Sequence, residues 1–274
     1  MTSFKALFKQ MFGQKRRYAD LVLLLQVFAV LFLLVMALWD KSNFVYLNID
    51  KNSNWIDYIL SAGMITTPVA DVIFLGLLCW QNEKINLSQT WQLAPISSVK
   101  IWLTNMFSSF VECIYIFIIQ VVLGFLVAMA DNLSHHLPLL HAMIDSKFNW
   151  SDFSPVIEFL LFLSGLVLVI FTFVSFANFL TRAIVDQLPF NNNILIKLFV
   201  MALIVIIAVL IAGKLNDQIT TMYLRHLAKE NDLFGVSTTE YFAGAIVLGV
   251  IDSYLISKLV EPKIVSERAG LNND

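Results

Sequence analysis

Six stretches of the chain are almost unbroken in apolar residues, and polar residues gather between them. The stretches are Leu21–Trp39, Tyr58–Trp80, Ile101–Ala130, Val156–Leu180, Ile194–Gly213 and Tyr241–Val260. A helix rises about 1.5 Å per residue, so about twenty apolar residues cross a hydrocarbon core about 30 Å thick. The pattern predicts six transmembrane helices. Thr66-Thr67-Pro68 lies inside the second stretch. Proline leaves a carbonyl without its donor, and a neighbouring threonine hydroxyl is placed to take it up. The third stretch is longer than a span needs, which predicts tilt or an interfacial start.

The polar segments carry their own pattern. In residues 1–19, Phe4, Leu7, Phe8, Met11 and Phe12 repeat at helical spacing beside Lys5, Lys9, Lys15, Arg16 and Arg17. That predicts an amphipathic helix in the membrane interface, with Phe4, Phe8 and Phe12 in the acyl boundary and the bases at anionic headgroups. Gln81–Lys100, QNEKINLSQTWQLAPISSVK, is the segment between the second and third spans. Asn86 or Ser88 suits a helix start, and Leu87, Trp91 and Leu93 give an apolar side. Pro95 suits the first turn of the next helix, and Ser97 or Ser98 its cap. A plain loop does not need a tryptophan. Trp91 is either a headgroup anchor or a knob for a partner. In 214–240, Ile219, Met222, Tyr223 and Leu227 share a helical face after Asn216 and Asp217, which predicts a short outer helix packed on the membrane domain. No repeat or linker divides the chain, so residues 1–274 read as one domain.

Composition changes little in this picture. The chain is 58% hydrophobic and 14% charged, an integral membrane composition. Its net charge of −2 argues against a nucleic-acid partner. Cys79 and Cys113 both fall in apolar stretches and read as small buried side chains, not as a disulfide framework. The first apolar stretch is long enough to span and no A-x-A-like site follows it, so it reads as a retained helix.

The basic residues set an orientation. With the N-terminus inside, twelve fall on the cytoplasmic side: Lys5, Lys9, Lys15, Arg16, Arg17, Lys84, Lys100, Arg182, Lys197, Lys258, Lys263 and Arg268. Six fall outside: Lys41, Lys51, Lys147, Lys214, Arg225 and Lys229. That bias predicts a cell-membrane protein with both termini cytoplasmic.

Four charges interrupt the apolar stretches: Asp71, Glu112, Asp252 and Lys197. Along a helix, Asp71 lies ~14 Å from Trp80 and Asp252 ~12 Å from Val260, both in the inner half. One reading is an acidic path for a cationic or amphiphilic substrate. The other is hydrogen bonding between helices, the commoner use of intramembrane polar groups. His135, His136 and His141 lie near Asp131 and Asp145. Their spacing fits no common metal motif, so they read as a solvated loop and no metal site is assigned. There is no G-x-x-x-x-G-K-[ST], G-x-S-x-G or H-E-x-x-H, so nothing suggests that this chain is itself an enzyme.

Glu83, Thr90, Trp91, Leu93, Pro95, Ser97 and Lys100 together resemble the connector between the second and third helices of type-2 ABC exporter permeases. That family also has six helices, an amphipathic N-terminal elbow and short outer helices before the last span. Gln89 and Ser98 depart from the family, which often has Gly and Arg there. The resemblance implies that 81–100 is a coupling helix, with Trp91 as apolar knob and Glu83 as polar latch in a cleft of a separate ATPase chain. It implies two permease chains, identical or not, and two ATPase chains that bind ATP and Mg, with no cofactor on this chain. The cargo would be a peptide, a drug or another amphiphile moved outward. The competing reading is a membrane binding or immunity protein that sequesters a peptide or regulates a partner without an ATPase. A lipid-modifying enzyme is disfavoured by the missing site.

Overall fold

The structure, a computed structural model, describes residues 4–39, 55–88, 91, 96–135, 150–187, 194–226 and 233–258. It contains α1 (Phe4–Trp39), α2 (Trp55–Asn86), α3 (Ser98–His135), α4 (Trp150–Val185), α5 (Ile194–His226) and α6 (Leu233–Lys258). All six are long and apolar enough to cross a membrane, and no strand occurs among the described residues. Many large apolar side chains face outward, and a set of polar ones is buried. Leu24, Phe28, Phe32 and Val35 of α1 are exposed, whereas Thr104, Asn105, Ser108, Ser109 and Glu112 of α3 are buried. Water would penalise that arrangement and lipid favours it. The chain is a multi-pass, all-helical membrane protein.

The helices overrun the apolar stretches that predict them. At 36 residues, α1 is about 54 Å long, well beyond a hydrocarbon core of about 30 Å. Residues 4–19 do not form a separate surface helix; they continue into the first span. Lys, Gln, Leu, Ala and Arg are good helix formers, and Gly13 is the one weak residue there. The buried stripe of this part is Leu7, Met11, Lys15, Ala19 and Val22. Phe4 is exposed, and Phe8 stacks on Phe12 at 5.7 Å and meets Phe107 of α3 at 5.6 Å.

The outer segment differs from expectation in the same way. Residues 214–226 prolong α5 through Gly213, and 233–240 open α6. Ile219 and Met222 are exposed. A single helical glycine costs only about 1 kcal/mol, too little to end a helix of this length. Tyr223 is described in its backbone alone, and Leu227 lies outside the described residues.

Helix α2 also continues through Pro68. The proline frees the carbonyl of Met64. The Thr66 hydroxyl donates to the carbonyls of Ala62 (2.9 Å) and Gly63 (3.4 Å), not to that one. Thr67 accepts from Gln26 of α1. The threonines therefore serve the preceding turn and the neighbouring helix.

The chain forms two compact units. One comprises Phe8–Trp80 and Phe107–Asn149, the other Met1–Leu7, Gln81–Met106 and Trp150–Asp274. In the second, α4 packs along α6, and α5 touches both. Small residues set the α4–α6 distance. A Cβ on Gly165 would lie 3.1 Å from that of Tyr241 and 3.3 Å from the Phe242 ring. One on Gly244 would meet Val169 at 3.4 Å, and one on Gly249 would meet Thr172 at 4.0 Å. The paired positions rise together along both helices, so α4 and α6 run parallel. Alternating spans require this, because α5 brings the chain back between them.

Candidate functional site

The α2–α3 connector is fixed at both ends. Helix α2 ends at Asn86, where Leu87 N–H donates to the Glu83 carbonyl and Ser88 N–H to that of Ile85. Trp91 N–H donates to the Ser88 carbonyl at 3.2 Å, one helical turn, and the Trp91 side chain is half-buried. Helix α3 starts at Ser98, with the Ser97 carbonyl accepting from Lys100 and Ile101. Ser97 therefore occupies the N-cap position. Asn86, read from the sequence as a possible start of the connector helix, instead closes α2. Thr90, Leu93 and Pro95 lie outside the described residues.

Side chains brace this connector below its ends. Asn105 of α3 is fully buried, and its amide donates to the Asn82 carbonyl (3.0 Å) and to Asn86 Oδ1 (2.8 Å) on the last turns of α2. Glu83 Oε1 accepts from the Ser175 hydroxyl of α4 at 3.0 Å. Arg182, two turns beyond Ser175, sets a positive charge against Glu83. Glu83 thus faces α4 and not open solvent. Nothing in the local sequence singles out Asn82 or Ser175. A signal was present in α3, where Thr104, Asn105, Ser108, Ser109 and Glu112 recur at i, i+1, i+4, i+5 and i+8, one polar helix face.

The other unit holds two polar clusters. In the first, Lys15 is 0% exposed, and its ammonium donates to Ser108 Oγ (2.7 Å) and Ser109 Oγ (2.6 Å). Glu112, one turn further along α3, is also 0% exposed, and Arg16 and Lys15 oppose its charge. Neither of its oxygens has a hydrogen-bond partner among the described residues. At the edge of this cluster, the Arg16 guanidinium sits 5.0 Å over the Tyr115 ring, and the Tyr115 hydroxyl donates to Asp20 (3.1 Å). The sequence placed Lys15 at lipid headgroups; the structure buries it against α3. Periodicity identifies a face, not what covers it.

In the second cluster, Gln120 of α3 donates to Gln26 Oε1 (3.0 Å) and Asp71 Oδ1 (2.8 Å). Gln26 in turn donates to Thr67 Oγ1 (2.8 Å). Three helices are tied by one chain of bonds, so Asp71 serves helix linkage here. Cys79 and Cys113 are half-buried thiols and are not joined.

Asp252 and Lys197 belong to the unit that holds the connector. Lys197 is half-buried near the start of α5. Asp252 is 0% exposed on α6, and neither oxygen has a partner among the described residues. It lies one turn beyond Gly249, where the Trp102 ring tip would stand 3.5 Å from a Cβ. The Trp102 indole N–H is buried and also has no partner among those residues. The four intramembrane charges are thus divided, Asp71 and Glu112 in one unit, Asp252 and Lys197 in the other. No group of three His, Cys, Asp or Glu suited to a metal occurs among the described residues. His136 and His141 lie outside them. Comparison with protein-family models, with curated proteins and with solved structures finds no match to this chain.

Proposed function

We propose that this chain is the membrane-spanning permease subunit of an ATP-driven type-2 ABC exporter, with residues 81–100 as its coupling segment. The observation that carries this reading is the bracing around the connector. A coupling element has to pass a push from an ATPase to the helices, and a floppy loop would absorb it. Here α2 and α3 are tied by Asn105 to Asn82 and Asn86, and α2 is tied to α4 by Glu83 and Ser175. Movement of the connector therefore moves three helices together. Trp91, half-buried on a helical turn between the braced ends, is the apolar group offered to the partner.

Each hydrolysis cycle would close two ATPase chains and rock two permease chains, identical or different, between inward and outward access. ATP and Mg bind the ATPase. The cargo is a peptide, drug or other amphiphile. The chain sits in the cell membrane with both termini cytoplasmic, as the excess of Lys and Arg on that side favours. The exposed Phe4, Lys5 and Lys9 and residues Arg16 and Arg17 suit the inner headgroup layer. The test is affinity purification of the tagged chain from its native membrane. A phosphate-loop ATPase in stoichiometric amount supports the reading. A stable complex with a peptide or another membrane protein and no ATPase favours the binding or immunity reading.

A further inference from the structure

We propose that Asp252 and Glu83 form a binding site for one monovalent cation, a proton or a sodium ion, beside the α4–α6 packing. Three observations lead there. The first is Asp252 itself: it is wholly buried, and both carboxyl oxygens lack a hydrogen-bond partner among the described residues. A buried carboxylate with neither donor nor counter-charge is strongly disfavoured and needs a compensating positive charge.

The second is its surroundings. From α2, Glu83 bears on Asp252 with a charge of the same sign. From α3 comes the Trp102 ring, against Gly249 one turn away and uncharged. From α4 comes Ser175, which lies one turn beyond Thr172 as Asp252 lies one turn beyond Gly249 and is engaged with Glu83. Arg182, also on α4, acts on Glu83 and not on Asp252. Lys197, the base within the apolar part of α5, is not among the charges that bear on Asp252. No ion pair to Asp252 occurs among the described residues, and the charge that bears on it is that of Glu83.

The third is the contrast with Glu112. That carboxyl is equally buried and equally without a hydrogen-bond partner, but Arg16 and Lys15 stand against it. Close α4–α6 packing, with would-be Cβ contacts of 3.1 Å at Gly165, 3.4 Å at Gly244 and 4.0 Å at Gly249, favours a small occupant.

The inference is independent of any ATPase. It is tested by thermal melting of the full-length chain in lipid nanodiscs. One series raises sodium chloride at fixed pH, with choline chloride holding ionic strength; the other lowers pH in choline chloride alone. We expect an upward shift in melting temperature in at least one series. A shift with sodium at fixed pH identifies sodium; a shift with pH alone identifies the proton. Asp252→Asn and Glu83→Gln should each lose the shift, whereas Trp102→Phe should keep it. If Asp252→Asn does not fold, Glu83→Gln carries the comparison. No shift in either series, or a shift retained in both carboxyl variants, overturns the proposal. Loss in Trp102→Phe equal to that in the carboxyl variants also overturns it, because Asp252 would then be half of an indole–carboxylate bond.

Discussion

Lys15 shows what a single residue does in this fold. Its ammonium is held by two serine hydroxyls and stands against the buried Glu112. Removing Lys15 leaves the buried Glu112 opposed by Arg16 alone, at a cost of up to about 3 kcal/mol. Lys15→Met should lower the melting temperature of the solubilised chain strongly, and Glu112→Gln in that background should recover much of the loss. An additive double-mutant cycle would show that the two charges act separately. Asn105 is a second such residue. Asn105→Leu removes its bonds to Asn82 and Asn86 and leaves two buried acceptors short, which costs about 1–3 kcal/mol. The same measurement checks this. Neither residue was legible in its role from sequence. A lysine beside Phe8 and Phe12 reads as a headgroup base, and an asparagine in a long apolar run reads as an exception until its partner on α2 is seen.

At the scale of the element, the helices were legible and their limits were not. Runs of about twenty apolar residues announce six spans with little ambiguity. Nothing in hydropathy marks where a helix stops after leaving the lipid, because charged residues such as those of 4–20 keep good helix propensity. Hence α1 absorbs the predicted interfacial segment and α5 absorbs most of the predicted outer one. The glycines separate by element too, because a glycine's role depends on what faces it. Gly165 lies against the backbone end of Tyr241, so Gly165→Ala should force α4 from α6 and cost about 1–3 kcal/mol. Gly124 of α3 has nothing within 4 Å, so Gly124→Ala should be neutral or stabilise by up to about 1 kcal/mol. Parallel thermal melts compare the two. Equal effects would contradict the close α4–α6 approach.

For the whole molecule, the arrangement is one of buried polar clusters within a lipid-facing apolar surface. Six serial spans with an excess of basic residues on one side give a checkable topology. Single cysteines placed at residue 2 and at residue 272, in a background lacking Cys79 and Cys113, should resist a membrane-impermeant thiol reagent in intact cells and react once the cells are opened. Labelling of either in intact cells would reverse the orientation. The candidate site was half legible. Trp91 stood out because a bare connector does not need an indole. The bracing by Asn82, Asn86, Asn105 and Ser175 did not, because it depends on which helices are neighbours. The most direct test of a coupling connector is ATPase association with Trp91→Ala, scaled to membrane-inserted chain. Aromatic anchors commonly contribute about 2 kcal/mol or more to such contacts, so association should fall by about thirtyfold or more while the thermal stability of the chain alone is unchanged. Full association in Trp91→Ala would contradict the account and leave Trp91 as a headgroup anchor.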